Sequence, residues 1–199
     1  VRRTIVDEAL AYLERLERES GAEDVTLRLE LAAAYRRIGA ILGDPQRPNL
    51  GDRDAAIAQY ERGRALAIAA AAVTSHFDAT VSIVDADLAL ATLYNQKKQG
   101  ELSNARTREA ADVAARYAKD HPADAGAAKL VARANFQLAW SLPAEQAVPV
   151  WEQTLAYYEN ELKKAPASPE AQRNVALIAK YLGSTFENLQ RDDLAAPQY

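Results

Sequence analysis

Cysteine is absent, which excludes disulfides, thiolate nucleophiles and cysteine-based zinc sites. Histidine occurs only at His76 and His121, in corresponding turns far apart in sequence. Two residues so separated do not make a shared metal or acid–base centre, and we expect neither metal nor cofactor. No apolar run reaches the about 18 uncharged residues of a membrane-spanning helix, so no direct membrane insertion is expected, and no signal-peptide pattern opens the chain. Methionine is missing and the sequence starts at Val1, from which we expect a piece of a longer protein. A basic excess is missing too: 24 Lys and Arg stand against 28 Asp and Glu, which argues against nucleic acid as a partner. Aromatics make up 7% against 49% hydrophobic residues. Alanine supplies much of the difference, a profile of close-packed helices rather than of a sheet core.

What the chain does contain is apolar residues at helical spacing along its whole length. Residues 4–19 carry Ile5, Val6, Ala9, Leu10, Leu13 and Leu16 in one stripe, with Glu8, Glu14, Arg15, Glu17 and Arg18 on or beside the other face; Ser20-Gly21 stops this helix. Asp24 caps a second helix whose stripe runs Leu27, Leu31, Ala34, Tyr35, Ile38, Leu42. Two glycines and two prolines make Gly43 to Gly51 a loop. Asp52 caps a third helix to about Val73. A turn at Thr74 to Asp78 leads to a fourth helix from about Ala79, capped by Asp78 and closed by Gly100. A fifth runs from Ser103 to Lys119. A sixth, capped by Asp124, reaches about Leu142 and contains Leu130, Val131, Ala134, Phe136, Leu138 and Trp140. Pro143 separates it from a seventh, Ala144 to Lys164, in which Pro149 lies near the start where a missing N–H costs least. Ser168-Pro169, an N-cap followed by proline at the first helical position, opens an eighth, and the tail DDLAAPQY begins one more.

The most organised stretch is Leu31 to Leu66. It holds Tyr35-x2-Ile38-Gly39-x2-Leu42, then Gly51, then Ala56-x3-Tyr60. Gly39 and Ala56 let two helix backbones approach, and Tyr35, Leu42 and Tyr60 fill the space beside them. The pattern returns as Ala179-x2-Leu182-Gly183-x2-Phe186 followed by Ala195-x3-Tyr199. Between the two copies QGELSNA (Gln99 to Ala105) keeps the turn and Ala147-x3-Trp151 keeps the second-helix signature. This resembles the tetratricopeptide repeat, with periods of about 46 residues against the roughly 34 of the usual motif. The resemblance implies an all-α fold: one domain over 1–199 in which a leading helix (1–20) precedes helix hairpins at 24–73, 78–120, 124–165 and 168–199. About nine helices would stack as a right-handed superhelix with a groove lined by the first helix of each hairpin.

VDEALAYLERL (Val6 to Leu16), LAAAYRRIGAILGDPQRPNLGD (Leu31 to Asp52) and AAIAQYERGRAL (Ala55 to Leu66) are similar to a more particular family. It is the tetratricopeptide region at the C-terminal end of bacterial, eukaryotic-like transmembrane serine/threonine protein kinases. Its specific mark is the insert matched here by Gly43, Pro45, Asn49, Leu50, Gly51 and Asp52. The resemblance covers the first third in detail and implies a piece lying on the extracytoplasmic side, with the kinase domain elsewhere in the parent. The Gly-rich loop, HRD and DFG motifs of a kinase are not in this sequence, and we expect no enzyme activity from the chain.

Carboxylates fall mainly at helix caps and outer faces; Asp85 and Asp87, beside the apolar stripe of the fourth helix, are the pair worth following. In a tetratricopeptide groove the facing positions would be Arg36 and Ala40; then Asp87, Leu90, Tyr94 and Lys97; then Lys129, Ala132 and Phe136 with Arg133 adjacent; then Lys180, Ser184 and Glu187. Such a groove is mildly basic with two aromatics and suits a protein or an acidic or C-terminal peptide. Lys129-x3-Arg133 resembles the third repeat of carboxylate-clamp tetratricopeptide domains, although the clamp's asparagines are absent from the first two units. A small molecule held by Tyr94, Phe136 and the basic groups is the alternative. The apolar end at Leu194, Ala195 and Tyr199 would permit a homodimer.

Overall fold

The computed structural model describes residues 2–19, 24–44 and 47–198. Among them are nine α-helices, a closing 3-10 turn and no strand: α1 (Arg2–Glu19), α2 (Val25–Gly43), α3 (Arg53–Ala71), α4 (Phe77–Gln96), α5 (Gly100–Asp120), α6 (Ala125–Ser141), α7 (Ala144–Lys164), α8 (Pro169–Asn188) and α9 (Asp192–Ala195). The all-α expectation holds. The chain falls into two compact units, Val1–Tyr117 and Ala118–Tyr199. In the first, α1 packs on α2, α2 on α3, α3 on α4, and α2 also on α4. In the second, α6 packs on α7, α7 on α8 and α8 on α9.

Side-chain caps fix the starts of four of these helices, because the first N–H groups of a helix have no partner within it. Asp24 accepts from Leu27 N at 2.9 Å, Asp52 from Ala55 N at 3.1 Å, Asp124 from Gly126 N at 2.8 Å and Ser168 from Ala171 N at 3.2 Å. Three details differ from the sequence reading. Helix α4 begins at Phe77 behind His76, whose side chain makes no cap bond, and Asp78 sits inside the first turn. Gly100 opens α5 instead of closing α4; the left-handed residue between them is Lys98, at φ 59°. Helix α2 continues through Gly43, so the loop starts at Asp44. The expected stop at Ser20-Gly21 and the repeat residue Tyr199 lie outside the described residues, as does Pro45 of the insert.

The rest of the insert is a built turn. Asn49 Nδ2 donates to the Asp44 and Arg47 carbonyls at 2.7 and 3.0 Å, and its Oδ1 accepts from Gly51 N at 2.7 Å. Leu50 N and Asp52 N then bond back to the Ile41 and Leu42 carbonyls of α2. Gly51 has a φ of +77°, which a side chain disfavours.

The core forms where small residues let helices touch. A Cβ on Gly39 would lie 2.9 Å from the Tyr60 ring, one on Gly43 2.8 Å from the Ala56 Cβ, and one on Gly63 2.8 Å from the Ala32 carbonyl oxygen. Gly63 is the tightest against backbone, and the motif did not flag it. Val6, Ile38, Leu42, Ala56, Tyr60, Leu90 and Leu93 are buried together around this crossing. In the second unit Ala139, Ala147, Trp151, Ile178, Leu182, Phe186 and Ala195 form the equivalent cluster. Ala195 is therefore interior, with Leu194 half-buried against the same cluster, and not part of an open end face.

Two glycines thus serve for different reasons, and substitution separates them. Gly63→Ala is expected to destabilise by about 2–3 kcal/mol through overpacking against backbone. Gly51→Ala, with open space around it, is expected to cost only the left-handed strain of about 1–2 kcal/mol. Urea unfolding of both variants checks the order.

Candidate functional site

In the first unit the candidate groove residues are taken up by internal partners. Arg36 of α2 is ion-paired with Asp85 of α4, and Lys97 with Asp54 of α3. Tyr94 Oη donates to Glu61 at 3.2 Å. Asp87, expected to line the groove, is fully buried between α3 and α5. Its Oδ1 accepts from Arg64 Nε at 2.6 Å and lies 3.4 Å from Arg106 Nη1, while its Oδ2 has no hydrogen-bond partner. Arg106 also donates to Glu61 at 2.7 Å, and Arg64 Nη2 lies 2.6 Å from Glu109. Leu90, another expected groove residue, is fully buried. The expected basic face on this unit is thus a set of cations already matched by carboxylates.

Asp85 and Asp87 do not converge. They are two residues apart on one helix, so they point to different sides, and different arginines hold them. A further network escaped the sequence reading. Glu14 and Glu17, assigned to the outer side of α1, reach Arg62 at 2.9 and 2.8 Å. Arg62 lies 4.9 Å over the ring of Tyr35, whose hydroxyl donates to Glu17 at 2.8 Å. Charge patterning alone cannot show this, because the partners are some 45 residues distant. His76 is exposed beside Asp78 at 3.6 Å. Among the described residues no three His, Asp or Glu side chains are grouped to hold a metal ion.

The second unit is different. Lys129, Arg133, Phe136 and Trp140 are spaced four, three and four residues apart, which puts them in one stripe of α6. Ala132, expected on that stripe, is buried instead. Trp140 is 60% exposed. Its ring stands edge-on to Tyr181 of α8 at 4.8 Å and to Trp151 of α7 at 5.9 Å. Phe136 meets the same two rings at 5.8 and 5.6 Å. Trp151 is 2% exposed and anchors the quartet in the core. Edge-to-face pairs at these distances are favourable and rigid, so Trp140 is held in place yet open to solvent. Lys180 lies exposed one residue before Tyr181. Trp140 belongs to the apolar residues expected in the sixth helix but not to its expected groove. Its spacing of four from Phe136 was the available signal.

A separate cavity of about 230 Å³ in this unit is lined by Ala118, Ala128, Val131, Ala132, Asn135, Gln153 and Tyr157. Asn135 Nδ2 donates to Gln153 Oε1 at 2.9 Å in its wall. Neither Tyr94 nor Phe136 lines it.

No known protein family's sequence profile matches the chain, and no curated protein matches it. No helix among the described residues is long and apolar enough to cross a membrane.

The two units give two expected outcomes. Burial pushes the Asp87 carboxyl up to about 6, against the pull of Arg64 and Arg106. Its folded pKa lies above its unfolded value, so its stabilising contribution is complete below about pH 4 and is lost as pH rises through about 6. Arg64→Met removes the closest cation and raises the carboxyl further, which extends that loss to higher pH. The variant is therefore expected to cost about 2 kcal/mol more near pH 7.5 than near pH 4.5, read by urea unfolding; an equal cost at both would contradict the ion pair. In the other unit, Trp151→Ala is expected to cost about 3–5 kcal/mol, and Trp140→Ala about 1 kcal/mol or less. Thermal unfolding of the pair distinguishes the anchor from the exposed ring.

Proposed function

We propose that this chain is a non-catalytic interaction module, a tetratricopeptide-like array that binds a protein or peptide over the α6/α8 face of its second unit. The observation that carries this is Trp140, an exposed indole held edge-on by the rings of Trp151 and Tyr181, with Lys129 and Arg133 on its own helix stripe and Lys180 next to Tyr181. Exposed aromatic anchors on a rigid support, with cations around them, are what interface hot spots are made of. The first unit then serves as scaffold, since its candidate groove cations Arg36 and Lys97 are matched by Asp85 and Asp54. Its turn around Asn49 and Gly51 supplies the residues of the kinase-associated resemblance. On that resemblance the module is the extracytoplasmic sensor or scaffold part of a larger receptor-kinase-like protein.

The cavity beside Asn135 favours a second reading, a sensor for one small neutral molecule. Its volume exceeds the roughly 150 Å³ that holds a benzene ring, and its walls are largely alanine and valine.

The two are separated by retention of partners from a native lysate on the immobilised chain and on its Trp140→Ser variant. A protein held by the wild type and at least about tenfold depleted on the variant is the expected result. Equal retention by both would contradict the assignment of the face.

A further inference from the structure

We propose that the partner of the α6/α8 face is an acidic peptide segment carrying an aromatic or branched aliphatic side chain. This rests on the interaction reading above and adds the chemistry of the partner. Asp124 and Ser168 cap α6 and α8 about 44 residues apart, one period of the repeat. The same offset pairs Lys129 with Arg173, Arg133 with Leu177, Phe136 with Lys180 and Trp140 with Ser184. The two helices thus carry matching stripes, joined where Tyr181 meets Phe136 and Trp140.

Charge in this unit is sorted by helix. α6 has Lys129 and Arg133 and no acidic residue. α8 has Arg173 and Lys180 against Glu170 and Glu187. The glutamates Glu145, Glu152, Glu159 and Glu161 are on α7. Lys129, Arg173 and Lys180 are exposed and make no ion pair among the described residues. The candidate groove cations of the first unit, Arg36 and Lys97, are by contrast matched, as are Arg64 and Arg106. Lys180, next to Tyr181, attracts an anionic group beside the ring, while Lys129 and Arg173, about two to three helical turns further along the stripes, attract others on the same extended segment.

The apolar part of the partner is set by Trp140 and Leu177. Both are exposed large apolar side chains, and the edge-on Trp140–Tyr181 pair, with its rings at 73°, forms a corner that a ring or branched side chain fills. A single-stranded nucleic acid, the other anionic polymer, stacks successive bases on successive rings; here Trp140 is the one exposed ring of the quartet.

The test is selection of a short random peptide library on the full chain, with Trp140→Ala as the counter-target and circular dichroism confirming that the variant is folded. The expected result is that peptides held by the wild type and lost by the variant are net negative and contain an aromatic or branched aliphatic residue. A synthetic peptide of that composition is expected to bind about tenfold or more weakly to Trp140→Ala and to the double variant Lys129→Glu/Lys180→Glu. Its affinity is also expected to fall as salt rises from about 50 to about 500 mM. Trp140-dependent peptides that are neutral or basic would overturn the acidic partner and leave the interaction module standing. A selection that yields no Trp140-dependent peptide would overturn both.

Discussion

The structure depends on helix pairs approaching at residues with little or no side chain. In the first unit α2 meets α3 at Gly39, Gly43, Ala56 and Gly63, with clearances that leave no room for a Cβ at any of the three glycines. In the second, Ala139 and Ala147 take part in the corresponding cluster beneath Trp151 and Phe186. Close approach explains why a chain poor in aromatics still has a core: dispersion between near backbones replaces contact between large side chains. It also leaves the few aromatics free for special positions. Tyr35 and Tyr60 are buried at the first crossing. Phe136, Trp140, Trp151 and Tyr181 gather at the second, where Trp140 reaches solvent.

The same economy governs charge. A helix that buries one side presents the other to water, and in the first unit several charges at that boundary are tied across to neighbouring helices. Arg64 and Arg106 share Asp87, Arg36 takes Asp85, and Arg62 takes Glu14 and Glu17. Half-buried pairs of this kind join neighbouring helices in one register, because removing either member leaves the other desolvated. In the second unit Lys129, Arg173 and Lys180 make no ion pair among the described residues, and α6 itself carries no acidic residue. The functional reading follows from this difference between the expected groove residues of the two units: Arg36 and Lys97 are matched, and Lys129 and Lys180, among the described residues, are not.

Helix order and most helix starts were legible in the sequence, because caps are local. Asp24, Asp52, Asp124 and Ser168 sit where their side chains must accept from the next N–H groups. His76 was less legible, since it caps by position and makes no side-chain bond. The close approach at Gly39 was legible from the repeat pattern, and that at Gly63 was not, because its contact is to the backbone of another helix. The site was harder. Asp87 lies on the stripe of Val84 and Ala91, which marked it for burial, yet its partners Arg64 and Arg106 are on other helices. The groove expected on α6 shares Lys129, Arg133 and Phe136 with the observed stripe, but includes the buried Ala132 and omits Trp140. A register taken from degenerate middle repeats carries that risk, because alanine occupies both buried and open positions there.

The central claim is that Trp140 is a fixed, open ring in a positive surrounding. Trp140 and Trp151 are the only tryptophans, so Trp151→Phe leaves Trp140 as the sole indole. Collisional quenching of that variant by iodide, caesium and neutral acrylamide then reads the ring directly. The account predicts ready quenching by acrylamide, and quenching by iodide that exceeds quenching by caesium more than it does for free tryptophan amide. That excess should disappear on Lys129→Glu/Lys180→Glu. A shielded, blue-shifted emission, or a preference for caesium, would contradict it.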